Sequence, residues 1–189
     1  MALLEAWNDL FSALGWILQA DARGIDLADR ARRTFLDLKV PAGAGFAEAL
    51  DLVRAIVWRD EQTVRRALGA SRSREVPDHA FLAVCLPLLR AEALSRMGDA
   101  RAAEEELGAA SGAIVGSQFL ELDWRIELLR SSLAIRRGEV QESRRHLHRC
   151  LHTKALLLQM VPPAARKRCN SALRLAPRAP ASAAPRKAP

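Results

Sequence analysis

His146, His148, Cys150 and His152 place four potential metal ligands within one short stretch. Imidazole and thiolate are the groups zinc selects, in a closed tetrahedral set when the site is structural. On a helix, however, His148 and His152 share one face, one turn apart, and His146 and Cys150 share another. The four cannot converge on one ion without breaking the helix, and no distant carboxylate stands out as a completing ligand. The expectation is an imidazole surface between Arg144, Arg145, Arg149 and Lys154, with no metal bound.

Other chemistry is as weakly specified. The glycines of Val40–Gly45 (VPAGAG) lack the third Gly, the Lys-Ser/Thr pair and the preceding strand of a phosphate loop. Glu104, Glu105 and Glu106 are consecutive, so on a helix they splay over different faces and form a solvated surface. HExxH, GxSxG and Walker lysine motifs are absent. The sequence therefore predicts no enzyme and no cofactor.

The elements that carry these residues are written in a repeat. Leu89–Ala110 (LRAEALSRMGDARAAEEELGAA) recurs in register as Leu129–Cys150 (LRSSLAIRRGEVQESRRHLHRC). Leu89-Arg90 becomes Leu129-Arg130, Gly98-Asp99 becomes Gly138-Glu139, and Leu107 becomes Leu147. Small residues match at Ala91/Ser131, Ala103/Ser143 and Ala110/Cys150. Each copy predicts helix, turn, helix. Gly98 and Gly138 supply a left-handed turn at no steric cost. Asp99 and Glu139 put negative charge where the second helix begins with free N–H groups. Small residues mark close crossings, and Leu94, Leu107, Ile135 and Leu147 are expected to fill the space between helices. Neither copy covers its own apolar face, so the units must stack.

These residues resemble the tetratricopeptide repeat family. Ala91, Gly98, Asp99, Ala103, Leu107 and Ala110 match its pattern, and Ser131, Gly138, Glu139, Ser143, Leu147 and Cys150 match it more loosely. The departures are a period of 40 where the family usually has 34, and Pro87 and Glu127 where an aromatic is usual. Phe11, Leu14, Gly15 and Leu18 are similar to a first helix of the family. Asp60 and Leu68 precede Asp99 and Leu107 by nearly the same interval and look like a worn copy, with Arg59 in place of the turn Gly. The resemblance implies an all-α fold, an α-α superhelix or TPR-like solenoid of about four helical hairpins over residues 1–161. It also implies a groove lined by the first helices, where a partner protein or peptide segment binds. Glu92, Arg96, Ser132 and Arg136, sites matched between the two copies, are then the candidate partner-binding residues. Arg136 is the foremost, because arginine is enriched at interface anchors.

Along the chain, Leu4, Trp7, Phe11, Leu14 and Leu18 share one face of a first helix. A second helix is expected from about Asp26, with Leu27, Ala31, Phe35 and Leu38 buried, ended by Val40–Gly45. Helices from Phe46 to Trp58 and from Asp60 to Leu68 follow, then a linker over Ser71–Pro77. Asp78 and Ser117 are positioned to cap the two long helices through Met97 and Arg137, and Pro87 lies inside the first of these. A helix from Glu139 to about Met160 closes the body, and Pro162-Pro163 stops it.

Composition bounds the class. The chain has 189 residues, half of them apolar, enough for one domain with a tail. No apolar run is long enough to span a membrane, and MALLEAWNDL lacks the basic flank and cleavage site of a signal peptide. Three cysteines, Cys85, Cys150 and Cys169, give an odd count without paired spacing, so a reducing cytoplasm is expected. Net charge is +7, and seven cations with no acid lie from Pro162 onward: Arg166, Lys167, Arg168, Arg174, Arg178, Arg186 and Lys187. The body is left with 22 basic against 22 acidic residues. Residues 162–189 form a Pro/Ala-rich tail or linker, with a short helix over Ala164–Leu175 and disorder beyond.

Two functions from different classes follow. One is a protein–protein interaction module or scaffold that uses the groove, similar to helical-repeat regions of bacterial signalling and transcription regulators. The other is a nucleic-acid-associated regulator whose tail cations, Arg166, Lys167, Arg168 and Arg174 foremost, contact phosphates or an acidic partner.

Overall fold

A computed structural model describes residues 1–58, 61–72, 78–116 and 119–172, and the regular structure among them is entirely α-helical. The helices are α1 (Ala2–Leu18), α2 (Arg23–Asp37), α3 (Pro41–Trp58), α4 (Glu61–Arg72), α5 (Ala80–Arg96), α6 (Ala100–Ile114), α7 (Leu120–Arg136), α8 (Val140–Met160) and α9 (Pro163–Ala172). They pair as α1/α2, α3/α4, α5/α6 and α7/α8. The first helices, α1, α3, α5 and α7, touch one another in succession. Each of α2, α4 and α6 touches the first helix that follows it, and among the described residues no second helix touches another. None of these helices is long and apolar enough to cross a membrane.

The turns are where glycine was expected. Gly98 has φ +85° and Gly138 has φ +79°. The corresponding α1/α2 turn lacks glycine and holds Ala20 at φ 59°, and the connection from α2 to α3 holds Lys39 at φ 53°, a conformation that costs an ordinary residue about 1–2 kcal/mol. Asp99 caps α6 by accepting the Ala102 N–H at 3.1 Å. Glu139 makes no such cap; its carboxylate is held 2.7 Å from Arg137 instead, which keeps its pKa below the usual carboxylate range.

Small residues set the crossings. Ala91, Ala103, Ala110, Ser131, Ser143 and Cys150 are all buried, and Leu107 is fully enclosed. The Ser131 and Ser143 hydroxyls lie 2.9 Å apart and satisfy each other. Gly43 serves the α2–α3 crossing: a Cβ there would lie 2.3 Å from the Phe35 ring.

Several expectations are corrected. In α1 the buried face is Ala6, Leu10, Ala13 and Ile17; Leu4, Phe11 and Leu18 are 73, 66 and 60% exposed. The tight crossing with α2 selects the smaller residues, and the larger ones face away. Ile135 and Leu147 do not fill the core, being 64 and 37% exposed, because no described helix packs beyond α8 in the way α7 packs beyond α6. α2 begins at Arg23, not Asp26, because Asp21 accepts the Arg23 N–H at 2.9 Å. Its buried face is Gly24, Ala28, Ala31 and Phe35, with Leu38 exposed. Val40–Gly45 is not a connecting loop: Pro41 opens α3, its fixed φ suiting a first helical position. α4 runs to Arg72, so Ser71 belongs to a helix and not to a linker. His79, not Asp78, precedes α5, which continues through Pro87. Arg59, Asp60, 73–77, Ser117 and 173–189 lie outside the described residues, so the expectations placed on them do too.

Candidate functional site

The continuous row of first helices brings together side chains that are far apart in sequence. Each first helix carries one aromatic at or near its N-terminal end: Trp7 on α1, Phe46 on α3, Phe81 on α5, and Phe119 immediately before α7. Their ring centroids are 5.6, 5.9 and 5.5 Å apart in that order. Phe11 extends the series outward from Trp7 at 6.1 Å, and Phe35 backs it at 4.8 Å. All five phenylalanines of the chain therefore join one array. Trp7, Phe46, Phe81 and Phe119 are each half-buried, so the array is anchored in the core and partly open to solvent. Edge-to-face and offset contacts at these separations contribute about 0.5–1.5 kcal/mol each beyond burial. The signal in the sequence was the near-regular interval from Trp7 to Phe46, Phe81 and Phe119. It was missed because the aromatic was sought at Pro87 and Glu127, well inside the helices.

The four groove candidates lie further along the same helices. Glu92 on α5 bonds Arg96 at 3.1 Å and Arg125 of α7 at 2.8 Å. Arg96 also donates to the Ile56 carbonyl near the end of α3 at 3.1 Å. Arg136 donates to the Ser95 carbonyl near the end of α5 at 2.6 Å and to the Ser95 hydroxyl at 3.1 Å. Ser132 bonds back to the Leu128 carbonyl at 3.1 Å. Arg96 and Arg136 thus repeat one task in successive units. Each ties its helix to the C-terminal carbonyls of the preceding first helix, where the helix dipole favours a cation. Both remain substantially open to solvent. Arg125, not foreseen, places a second guanidinium on the Glu92 carboxylate. Cys85, at the position matching Arg125, is buried, and burial pushes its thiol up to about 11 against the pull of Arg125. Its surroundings are those of a packing residue, since a buried thiol with a raised pKa carries little thiolate.

A second polar assembly sits within the fold. Arg90 of α5 is nearly enclosed and bonds Glu48 of α3 at 3.1 Å, the Ser71 carbonyl of α4 at 2.9 Å and the Ser71 hydroxyl, with Glu106 of α6 at 4.0 Å. Ser71 in turn donates to Glu48. One guanidinium joins four helices. At the matching place in the next hairpin, His146 replaces Glu106. Its Nδ1 is 2.8 Å from Glu127 and its Nε2 3.2 Å from Glu142, with Arg130 3.5 Å from Glu127. Both ring nitrogens of His146 therefore face carboxylates. Cys150 is buried, its thiol pushed up to about 11 chiefly by burial, then by Glu127, while His148 and His152 are exposed. His146, His148, Cys150 and His152 do not converge, and among the described residues no three His, Cys, Asp or Glu side chains are grouped to hold a metal.

Of the tail candidates, Arg166 lies on α9 and donates to the Val161 carbonyl at 3.0 Å. Lys167 is exposed on the same helix. Arg168 is in α9 by its backbone, and Arg174 lies outside the described residues. Among the described helices, α9 touches only α8. No family model, no curated protein and no solved structure matches the chain.

Proposed function

We propose that this chain is a protein-interaction module that seats an extended partner segment along its first helices. The observation that carries this reading is the half-open aromatic row, Trp7, Phe46, Phe81 and Phe119, which runs across all four hairpins. An aromatic anchored on its inner side presents apolar area at low entropy cost, which is what interface anchors need. The guanidiniums of Arg96, Arg125 and Arg136 lie along the same helices with the Glu92 carboxylate among them, so the complementary segment is apolar at one end and acidic at the other. First helices in contact beside second helices that stand apart give a stack that curves toward its first helices. That supports the superhelical, tetratricopeptide-like shape and a concave binding face.

The test is capture from nuclease-treated native lysate at low and high salt, with the full chain and with the chain cut after Val161. The expected result is the same protein partner with both, retained at high salt and lost with Phe81→Ala and Arg125→Ala together. The rival reading, nucleic-acid association through the basic C-terminal residues, has the surface of α8 in its favour, where Arg144 and Arg149 are exposed. It predicts recovery that needs residues 162–189 and vanishes with nuclease or salt.

A further inference from the structure

Leu4, Trp7, Phe11, Leu14 and Leu18 follow one another at alternating intervals of three and four, the spacing of a coiled-coil seam. A seam of this period is filled by another helix, because its side chains insert between those of a facing helix. α1 packs on α2 and α3 through Ala6, Leu10, Ala13 and Ile17, Trp7 leans from the edge of the seam onto Phe35 and Phe46, and no other described helix touches α1. Leu4, Phe11 and Leu18 are its most open members. Gly15 stands at its edge, and a Cβ there would meet nothing within 4 Å, so a facing backbone can come close.

Charge decides which helix fits. α1 holds two ionisable side chains, Glu5 and Asp9, both on the side away from the seam, with Asp9 bonded to Arg30 of α2 at 2.5 and 2.6 Å. The seam itself is uncharged, so two copies of α1 can meet face to face without like-charge repulsion. Another open apolar surface of the described chain is on α8, where Val140, Leu147 and Leu151 are exposed. Arg144 and His148 stand among them at the same helical face, also exposed. Stacking α8 of one copy on α1 of another would carry the Arg144 guanidinium against an uncharged wall, at the cost of stripping its water with no counter-charge.

We propose that the exposed face of α1 is an isologous interface with α1 of a second copy, centred on Phe11. Phe11 is the midpoint of the seam, so it meets its own counterpart whether the two helices run parallel or antiparallel. The open apolar area is on the order of several hundred Å², large for a patch left on a monomer but below the roughly 800 Å² per partner of a standard interface. The dimer is therefore weak and depends on concentration.

Sedimentation equilibrium of the full chain across the micromolar range tests this. The expected mass rises from 20.8 kDa to twice that value and stops there. Phe11→Glu and Phe11→Lys each weaken self-association by about tenfold or more, since like charges meet at the centre, while helical circular dichroism stays at the wild-type value. Mixing the two restores a 1:1 dimer, because opposite charges now meet. Leu18→Glu, at the end of the seam, weakens the dimer less and serves if either Phe11 variant misfolds. A wild-type mass that stays at that of one chain, a mass that climbs past the dimer, or Glu and Lys variants that fail to pair would each overturn the proposal.

Discussion

The hairpins α5/α6 and α7/α8 are written in one pattern, yet they fold into different surroundings. Leu107 is fully enclosed, and its match Leu147 is 37% exposed. Arg90 is tied to Glu48 and Ser71 with 8% of its side chain exposed; its match Arg130 is 24% exposed and reaches Glu127 at 3.5 Å. Asp99 caps its helix, whereas Glu139 turns to Arg137. The repeated letters specify the hairpin, its turn and its small-residue crossing. The neighbours decide what each repeated side chain contributes. α5 has first helices on both sides and a second helix behind it, while α8 has an open outer face.

That contrast can be broken residue by residue. Arg90→Ala leaves the Glu48 carboxylate and the Ser71 hydroxyl enclosed without their partner, which is expected to cost about 3–5 kcal/mol. Arg130→Ala leaves Glu127 bonded to His146 and is expected to cost about 1 kcal/mol or less. Chemical denaturation of the two variants reads the difference directly, and equal losses would remove the contrast. Leu107→Ala follows at about 2–5 kcal/mol, because a cavity forms in a packed core. Leu147→Ala is expected within about 1 kcal/mol of wild type by the same measurement, since water already reaches that side chain.

The turns sharpen the comparison from the other direction, because here the two hairpins agree. Gly98→Ala and Gly138→Ala should each destabilise by about 1–2 kcal/mol, and nothing crowds either position, so the effect isolates the backbone. Ala20→Gly, at the matching turn of the first hairpin, should stabilise by about 1 kcal/mol. A thermal midpoint that falls on that substitution would mean the left-handed turn is not the strained element. The smallest difference is expected at the caps. Asp99→Ala is expected to lose about 1 kcal/mol and Glu139→Ala to leave the melting curve unchanged, since Glu139 bonds no helix N–H.

Much of the fold was legible because its signals are local. Gly98 and Gly138, the buried Ala, Ser and Cys of the crossings, and the helical spacing of α5 through α8 all act within one hairpin. Most of what stayed hidden depends on contacts between hairpins. Ile135 and Leu147 carry the same letters a core residue would, and they are surface only because no described helix packs over them. α1 has two apolar faces, and sequence periodicity pointed to the larger residues when the crossing with α2 took the smaller. The groove candidates lie on α5 and α7, but the ties from Arg96 to Ile56 and from Arg136 to Ser95 span successive hairpins. So does the aromatic row, whose members belong to four separate units and reveal themselves only once the first helices stand side by side.

The central claim, that partners bind along the first helices, is tested most directly by selecting displayed peptides on the immobilised full chain. Affinities of the selected sequences would then be measured against Phe81→Ala, Arg125→Ala and the chain cut after Val161. The account predicts peptides with an apolar end and an acidic end, whose affinity falls about tenfold or more with either substitution and is unchanged by the truncation. Peptides that ignore both substitutions, or that bind only while residues 162–189 are present, would contradict it.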